Sequence, residues 1–94
     1  MPYIFEWDPE KAAANQTKHG VSFAEATEAF GDPLSVNMPD PGHSISEERF
    51  LVLGLSQSGR LLVVSYAERG PRTRIISARL ASRSERRRYE EDIP

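Results

Sequence analysis

The apolar positions of this chain change their spacing half-way along it. Up to residue 30 they recur three and four apart, as on one side of a helix, with Phe23, Ala26, Ala29 and Phe30 the clearest set. From residue 49 they gather into three runs rich in β-branched residues, Arg49–Ser56, Leu61–Arg69 and Thr73–Leu80, separated by Gln57-Ser58-Gly59-Arg60 and Gly70-Pro71. Two short turns in succession predict an antiparallel meander. Ahead of it, Tyr3–Glu6 reads as a short strand. Asp8-Pro9 then reads as an N-cap with proline at the first helical position, and the helix runs from Pro9 to Lys18 before His19-Gly20 closes it. Ser22 and Glu25 form a capping box for a second helix, which Gly31-Asp32-Pro33 ends. A strand at Leu34–Met38 and a dense turn from Pro39 to Ser44 follow. Ser82 and Glu85 form a second capping box, opening a terminal helix through Tyr89. The expected fold is α+β, with two N-terminal helices packed on a curved antiparallel sheet that a C-terminal helix closes.

Strand alternation divides the sheet into two faces. Hairpins pairing Leu55 with Leu61 and Arg69 with Arg72 put Leu51, Leu53, Leu55, Leu61, Val63, Ile76, Ala78 and Leu80 on one face. That face, nearly all apolar, is expected to pack on the first two helices. The other carries Gly54, Tyr66, Ser77 and Arg79 among Phe50, Val52, Leu62, Val64 and Ile75. It is expected to hold a site and to be covered by a partner or by the last helix.

Composition narrows the setting. Ninety-four residues predict one domain, burying about 60–65% of its unfolded surface, so a protein partner would add stability. The chain has no cysteine, which points to the reducing cytoplasm and excludes thiol chemistry and cysteine-held zinc. No apolar run reaches the length of a membrane span and the N-terminus has no secretory signal pattern, so no membrane association is expected. The net charge of −2 hides a strong polarity. Residues 1–48 hold both lysines against nine carboxylates, whereas residues 49–88 hold all ten arginines against only Glu68 and Glu85. Arginine's planar fork suits phosphate, so the second half fits an anionic polymer; a solvated face balanced by the acidic half is the plainer alternative.

A resemblance then joins these pieces. Phe5-Glu6-Trp7-Asp8-Pro9, Asn15-x-x-Lys18-His19-Gly20-Val21-Ser22-Phe23, Phe30-Gly31-Asp32-Pro33, Glu48-Arg49-Phe50, Arg74-Ile75-Ile76-Ser77-Ala78-Arg79 and Glu85-Arg86-x-x-Tyr89 stand in the order found in the BrnT family. The resemblance covers almost the whole chain. It implies a bacterial endoribonuclease toxin of RelE-like fold that inhibits translation and growth, with RNA as substrate and no cofactor. It also implies neutralisation by a BrnA-like antitoxin, through which alone the toxin would meet DNA. Gln16 stands where an aliphatic residue is usual, and Leu80 and Ser84 stand where members often carry arginine, so the basic patch is thinner than the family's. The alternative from another class is a non-catalytic module that binds protein or nucleic acid.

Metal-free RNA cleavage needs a 2′-hydroxyl turned against its phosphate, a base, an acid and cations for the phosphate oxygens. Arg79, ending the last strand, is the first choice for the phosphate clamp, its alternative being an ion pair with Glu48 or Glu68. Arg69 and Arg74 flank the second turn and either reach RNA or end a solvated hairpin. Arg49 and Arg83 are further candidates for RNA contact, and of Arg83, Arg86, Arg87 and Arg88 on one helix at most two can face the substrate. His19 is the acid–base candidate, since histidine exchanges protons near neutrality, but a basic residue there also suits a helix C-terminus. Lys18 beside it either meets RNA or finishes the helix. Tyr66 and Tyr89 could stack on a base, donate a proton or fill the core; Glu48 could take the 2′-hydroxyl proton or pair with an arginine. His43, in the Pro-Gly turn, reads as a surface residue, and two histidines so placed make no metal site.

Overall fold

The computed structural model describes residues 3–40 and 48–91. His43 and most of the turn expected around it lie outside the described residues. The chain forms β1 (Ile4–Glu6), α1 (Pro9–His19), α2 (Phe23–Ala29), β2 (Val36–Pro39), β3 (Arg49–Leu55), β4 (Leu61–Arg69), β5 (Arg72–Leu80) and α3 (Arg83–Glu91). The five strands make one sheet in the order β1-β5-β4-β3-β2. The β3–β4–β5 meander has the expected pairs Leu55–Leu61 and Arg69–Arg72. β2 adds antiparallel to β3, but β1 adds parallel to β5, so the sheet is mixed and not purely antiparallel.

Local chemistry explains the helix limits. The Asp8 carboxylate accepts from the Glu10 N–H at 2.8 Å, Pro9 takes the first position, and Gly20 ends α1 in the left-handed region at φ 69°. At α2, Ser22 Oγ accepts from the Glu25 N–H at 3.0 Å, so half of the expected capping box forms. The other half does not. Glu25 turns its carboxylate to Ser56, Ser58 and Arg60 of the β3–β4 turn, where a charge-assisted partner outcompetes a backbone amide.

The two faces of the sheet are filled the other way round from the expectation. α1 and α2 cover Phe50, Val52, Leu62, Val64, Tyr66 and Ile75, which join Val21, Phe23, Ala26 and Ala29 in the main core. Gly54 lies at the closest approach, where a Cβ would sit 2.5 Å from the Ala29 carbonyl oxygen. The leucine face (Leu51, Leu53, Leu55, Leu61 and Val63) packs instead around Tyr89 of α3. Both faces are apolar enough to be covered, and the short loop from Gly20 to Phe23 lays two helices, not one, on the side with the larger aromatic surface. The apolar residues expected to await a partner are therefore core.

A bulge completes the correction. β4 and β5 pair Tyr66 with Ile75 but Ser65 with Ser77, so Ile76 is an extra residue. It turns Ser77 and Arg79 away from Tyr66 and onto the α3 side, and turns Ala78 into the main core. β1 ends opposite Arg74, and beyond it the outer edge of β5 has no strand neighbour among the described residues. Asn15 of α1 fills that place. Its Nδ2 donates to the Ala78 carbonyl at 2.8 Å and to the Val21 carbonyl at 2.9 Å, and its Oδ1 accepts from the Ala78 N–H at 3.1 Å. Asn15→Ala would strand three buried backbone groups. Urea denaturation should show a loss of about 3 kcal/mol; a loss within experimental error would mean that α1 is held by apolar contact alone.

Candidate active site

The bulge gathers charge on one side of the sheet. By the observed register, Arg49, Ala67 and Arg74 share a row, as do Leu51, Ser65 and Ser77, and Leu53, Val63 and Arg79. Alternation then puts Arg49, Arg69, Arg72, Arg74 and Arg79 on the α3 side, half of the chain's arginines. In the middle of this face a cleft of about 340 Å³ is lined by Arg49, Asp40, Ser65, Ser77 and Arg79, with Leu51 and Val63 as its apolar part. A second, more open depression of about 230 Å³ is lined by Lys11, Asn15, Lys18 and His19. The two share Ile76 and Ser77, so the bulge is the ridge between them.

Each cation is held differently. Arg79 makes a two-pronged pair with Glu85 of α3, Nη1 to Oε1 at 2.7 Å and Nη2 to Oε2 at 2.8 Å. This replaces the expected alternative partners, Glu48 and Glu68. Glu6 accepts from Arg72 at 3.4 Å and lies 3.5 Å from Arg74, so β1 neutralises the far end of the face. Lys18 and His19 end α1, where positive charge suits the helix dipole, and they also line the second depression. His19 thus stands both at the helix end and in the wall of the second depression.

Other predicted site residues stand apart. Tyr66 lies in the main core, 7% exposed, its ring against Phe30 and Phe50 and its hydroxyl donating to Asn37 Oδ1 at 2.5 Å. Burial pushes its phenol up to about 12. It is on the far side of the sheet from Arg79 and does not join the cleft. Tyr89 is core as well, and its hydroxyl donates to Asp32 at 2.6 Å. Burial raises Asp32, but bonds from Tyr89, Leu55 and Leu34 more than offset it, and the carboxyl stays below its ordinary range. Arg69 ends β4 at the outer turn, Arg83 starts α3 on an exposed turn, and Glu48 lies exposed just before β3; none of the three lines the cleft. Asp40, Ser65 and Glu85 belong to the site's surroundings and were not singled out for it by sequence. For Glu85 the signal was present, since a capping-box glutamate stands six residues after Arg79.

The family model for the ribonuclease toxin BrnT of type II toxin–antitoxin systems matches residues 7–85. The chain belongs to the BrnT family. No curated protein matches it. Among solved structures, the crystal structure of the Brucella abortus ribonuclease toxin BrnT superposes with a TM-score of 0.68 at 22% identity, covering 87% of this chain and all of that one. The BrnT fold is thereby shared, with its α+β sheet and three helices. The BrnT match ends at Glu85, so it spans the whole arginine face and the residue that holds Arg79.

Two of the carboxylates that hold arginines, Glu85 and Glu25, set an acid limit on stability. The Arg79 guanidinium holds Glu85, and the Arg60 guanidinium holds Glu25, each at about 2 against an ordinary value of 4.5. Because both folded values lie below the unfolded one, the stabilisation is full above pH 4.5 and is lost as the pH falls towards 2. Thermal unfolding between pH 5 and 2 should show a falling midpoint, less steep in Glu25→Gln. Identical slopes in the two proteins would remove Glu25 from the account.

Proposed function

We propose that the chain is an endoribonuclease toxin that cuts RNA without a metal ion, using the substrate's own 2′-hydroxyl. The observation that carries the proposal is the cleft in which Arg49 and Arg79 meet Ser65 and Ser77, one ridge away from His19 and Lys18. Guanidinium groups stay protonated and grip phosphate oxygens, so they suit the negative charge that builds on the phosphorus oxygens in the transition state. They supply the positive charge that a metal would otherwise bring. The serine hydroxyls offer further donors, Lys18 meets a neighbouring phosphate, and His19 exchanges the proton. The 2′-hydroxyl loses its proton, its oxygen bonds to phosphorus, the bond to the 5′-oxygen breaks, and that oxygen takes up a proton. Arg69, Arg74 and Arg83 contact RNA outside the cleft, and Glu48 is a second candidate base just before β3.

The same reading takes the fold as RelE-like and the place of action as the cytoplasm, where cutting RNA stops translation and growth. None of the helices described is long and apolar enough to cross a membrane. A BrnA-like antitoxin neutralises the toxin by covering the arginine cleft with acidic side chains and filling the apolar groove of Met38, Leu51, Leu53 and Val63 beside α3. Contact with DNA comes only through that complex.

Purified protein should cut total RNA equally well with and without EDTA, and the products should carry 2′,3′-cyclic phosphates. Activity lost in EDTA and restored by a divalent ion, or 5′-phosphate products, would overturn the mechanism. Intact RNA at high protein concentration would favour a binding module. Arg79→Ala should slow cleavage about a hundredfold, a loss on the order of 3 kcal/mol, and should relieve growth arrest. A folded Arg79→Ala protein with full activity would take Arg79 out of the site.

A further inference from the structure

Arg79 is held in a way that leaves one of its two bidentate edges open. Nη1 donates to Glu85 Oε1 and, at 3.2 Å, to the Leu80 carbonyl; Nη2 donates to Glu85 Oε2. The carboxylate thus takes the end of the guanidinium. The Nε–H and the outer Nη2–H lie parallel along the other edge, and among the described residues neither has an acceptor. Those two donors match a pair of phosphate oxygens.

Glu85 is itself fixed from two directions. Its Oε1 also accepts from the Ser82 N–H at 2.8 Å, and its own N–H donates to Ser82 Oγ at 3.2 Å, so both arms of the capping box at the start of α3 are made. The box clamps the carboxylate at the first turn of a helix whose Tyr89 is pinned to Asp32 at 2.6 Å. A flexible arginine on the last turn of a strand is thereby tied to a rigid frame.

We infer that Glu85 is the positioning residue for Arg79, presenting the Nε–Nη2 edge of the guanidinium to the scissile phosphate of RNA. The inference rests on the proposed role of the Arg79 cleft in RNA cleavage. Glu85 touches no substrate in this assignment; it acts by holding one edge so that the other points into the cleft. The alternative chemistry, a carboxylate that merely cancels the arginine's charge, predicts the opposite response to substitution.

Glu85→Gln separates the roles, because glutamine still completes a capping box but offers Arg79 only one uncharged acceptor. With an RNA oligonucleotide as substrate, Glu85→Gln should lower kcat about tenfold and leave KM within about twofold, as expected when only transition-state alignment is lost. Ser82→Ala removes only the hydroxyl arm of the box and keeps both the residue 82 N–H bond to the Glu85 carboxylate and the Arg79 pair, so it should lower the thermal midpoint and keep kcat. The Arg79 Nε–H resonance gives a readout independent of cleavage. Inorganic phosphate should shift it in the wild type, and the shift should shrink in Glu85→Gln. Wild-type kcat in Glu85→Gln, or a gain in rate and phosphate response, would overturn the inference. Arg79→Ala tells the two failures apart: if it is fully active the cleft assignment falls, and if it is impaired while Glu85→Gln is unaffected, only the positioning role falls.

Discussion

β5 carries one residue more than β4 between the Tyr66–Ile75 and Ser65–Ser77 pairs, and because side chains alternate along a strand, that residue decides which side of the sheet every later side chain meets. Without Ile76 as an extra, Ser77 and Arg79 would point to the helix-covered side of the sheet, away from Arg49 and Ser65. With it, they share a face with Arg49 and Ser65, and Ala78 takes a fully buried core position. The cleft exists because the register changes there.

Two polar attachments keep that arrangement. On the outer edge, Asn15 bonds to both backbone groups of Ala78 and so stands in for a missing strand; this also brings the end of α1, with Lys18 and His19, against the ridge at Ile76 and Ser77. On the open face, α3 closes only part of the leucine surface and is fastened at both ends, by Glu85 on Arg79 and by Tyr89 on Asp32. A 94-residue chain has little core to spare for rigidity, so these directional bonds do what extra packing does in a larger protein.

The elements were legible in the sequence because local chemistry sets them. Asp8-Pro9, His19-Gly20, Ser22 and the Ser82–Glu85 box mark helix ends by hydrogen bonds that reach no further than a turn, and the two hairpin turns lie where glycine requires them. The faces were not legible. Leu51–Leu55 and Phe50–Val52 are about equally apolar, so period-2 alternation divides the strands into two sets without saying which one the helices cover. A bulge leaves no mark in the composition of Arg74–Arg79, and it alone separates Arg79 from Tyr66. Arg49, Arg79, Lys18 and His19 were named as candidates by residue type and by resemblance; Asp40 and Ser65, which also line the cleft, were not, since only the fold brings them there. Asn15 was part of the family pattern, but its pairing with Ala78 spans 63 residues and no local rule points to it.

The central claim is that RNA meets the α3 side of the sheet and the adjoining end of α1, not the helix-covered side. Backbone amide shifts of the labelled protein, titrated with a single-stranded oligonucleotide whose 2′-hydroxyls are replaced by hydrogen, test it most directly. Shift changes centred on Arg49, Ser65, Ser77 and Arg79 and reaching Lys18 and His19 are the result the account predicts. Changes centred on Trp7, Phe23 and the exposed side of α2, with the cleft residues unmoved, would contradict it.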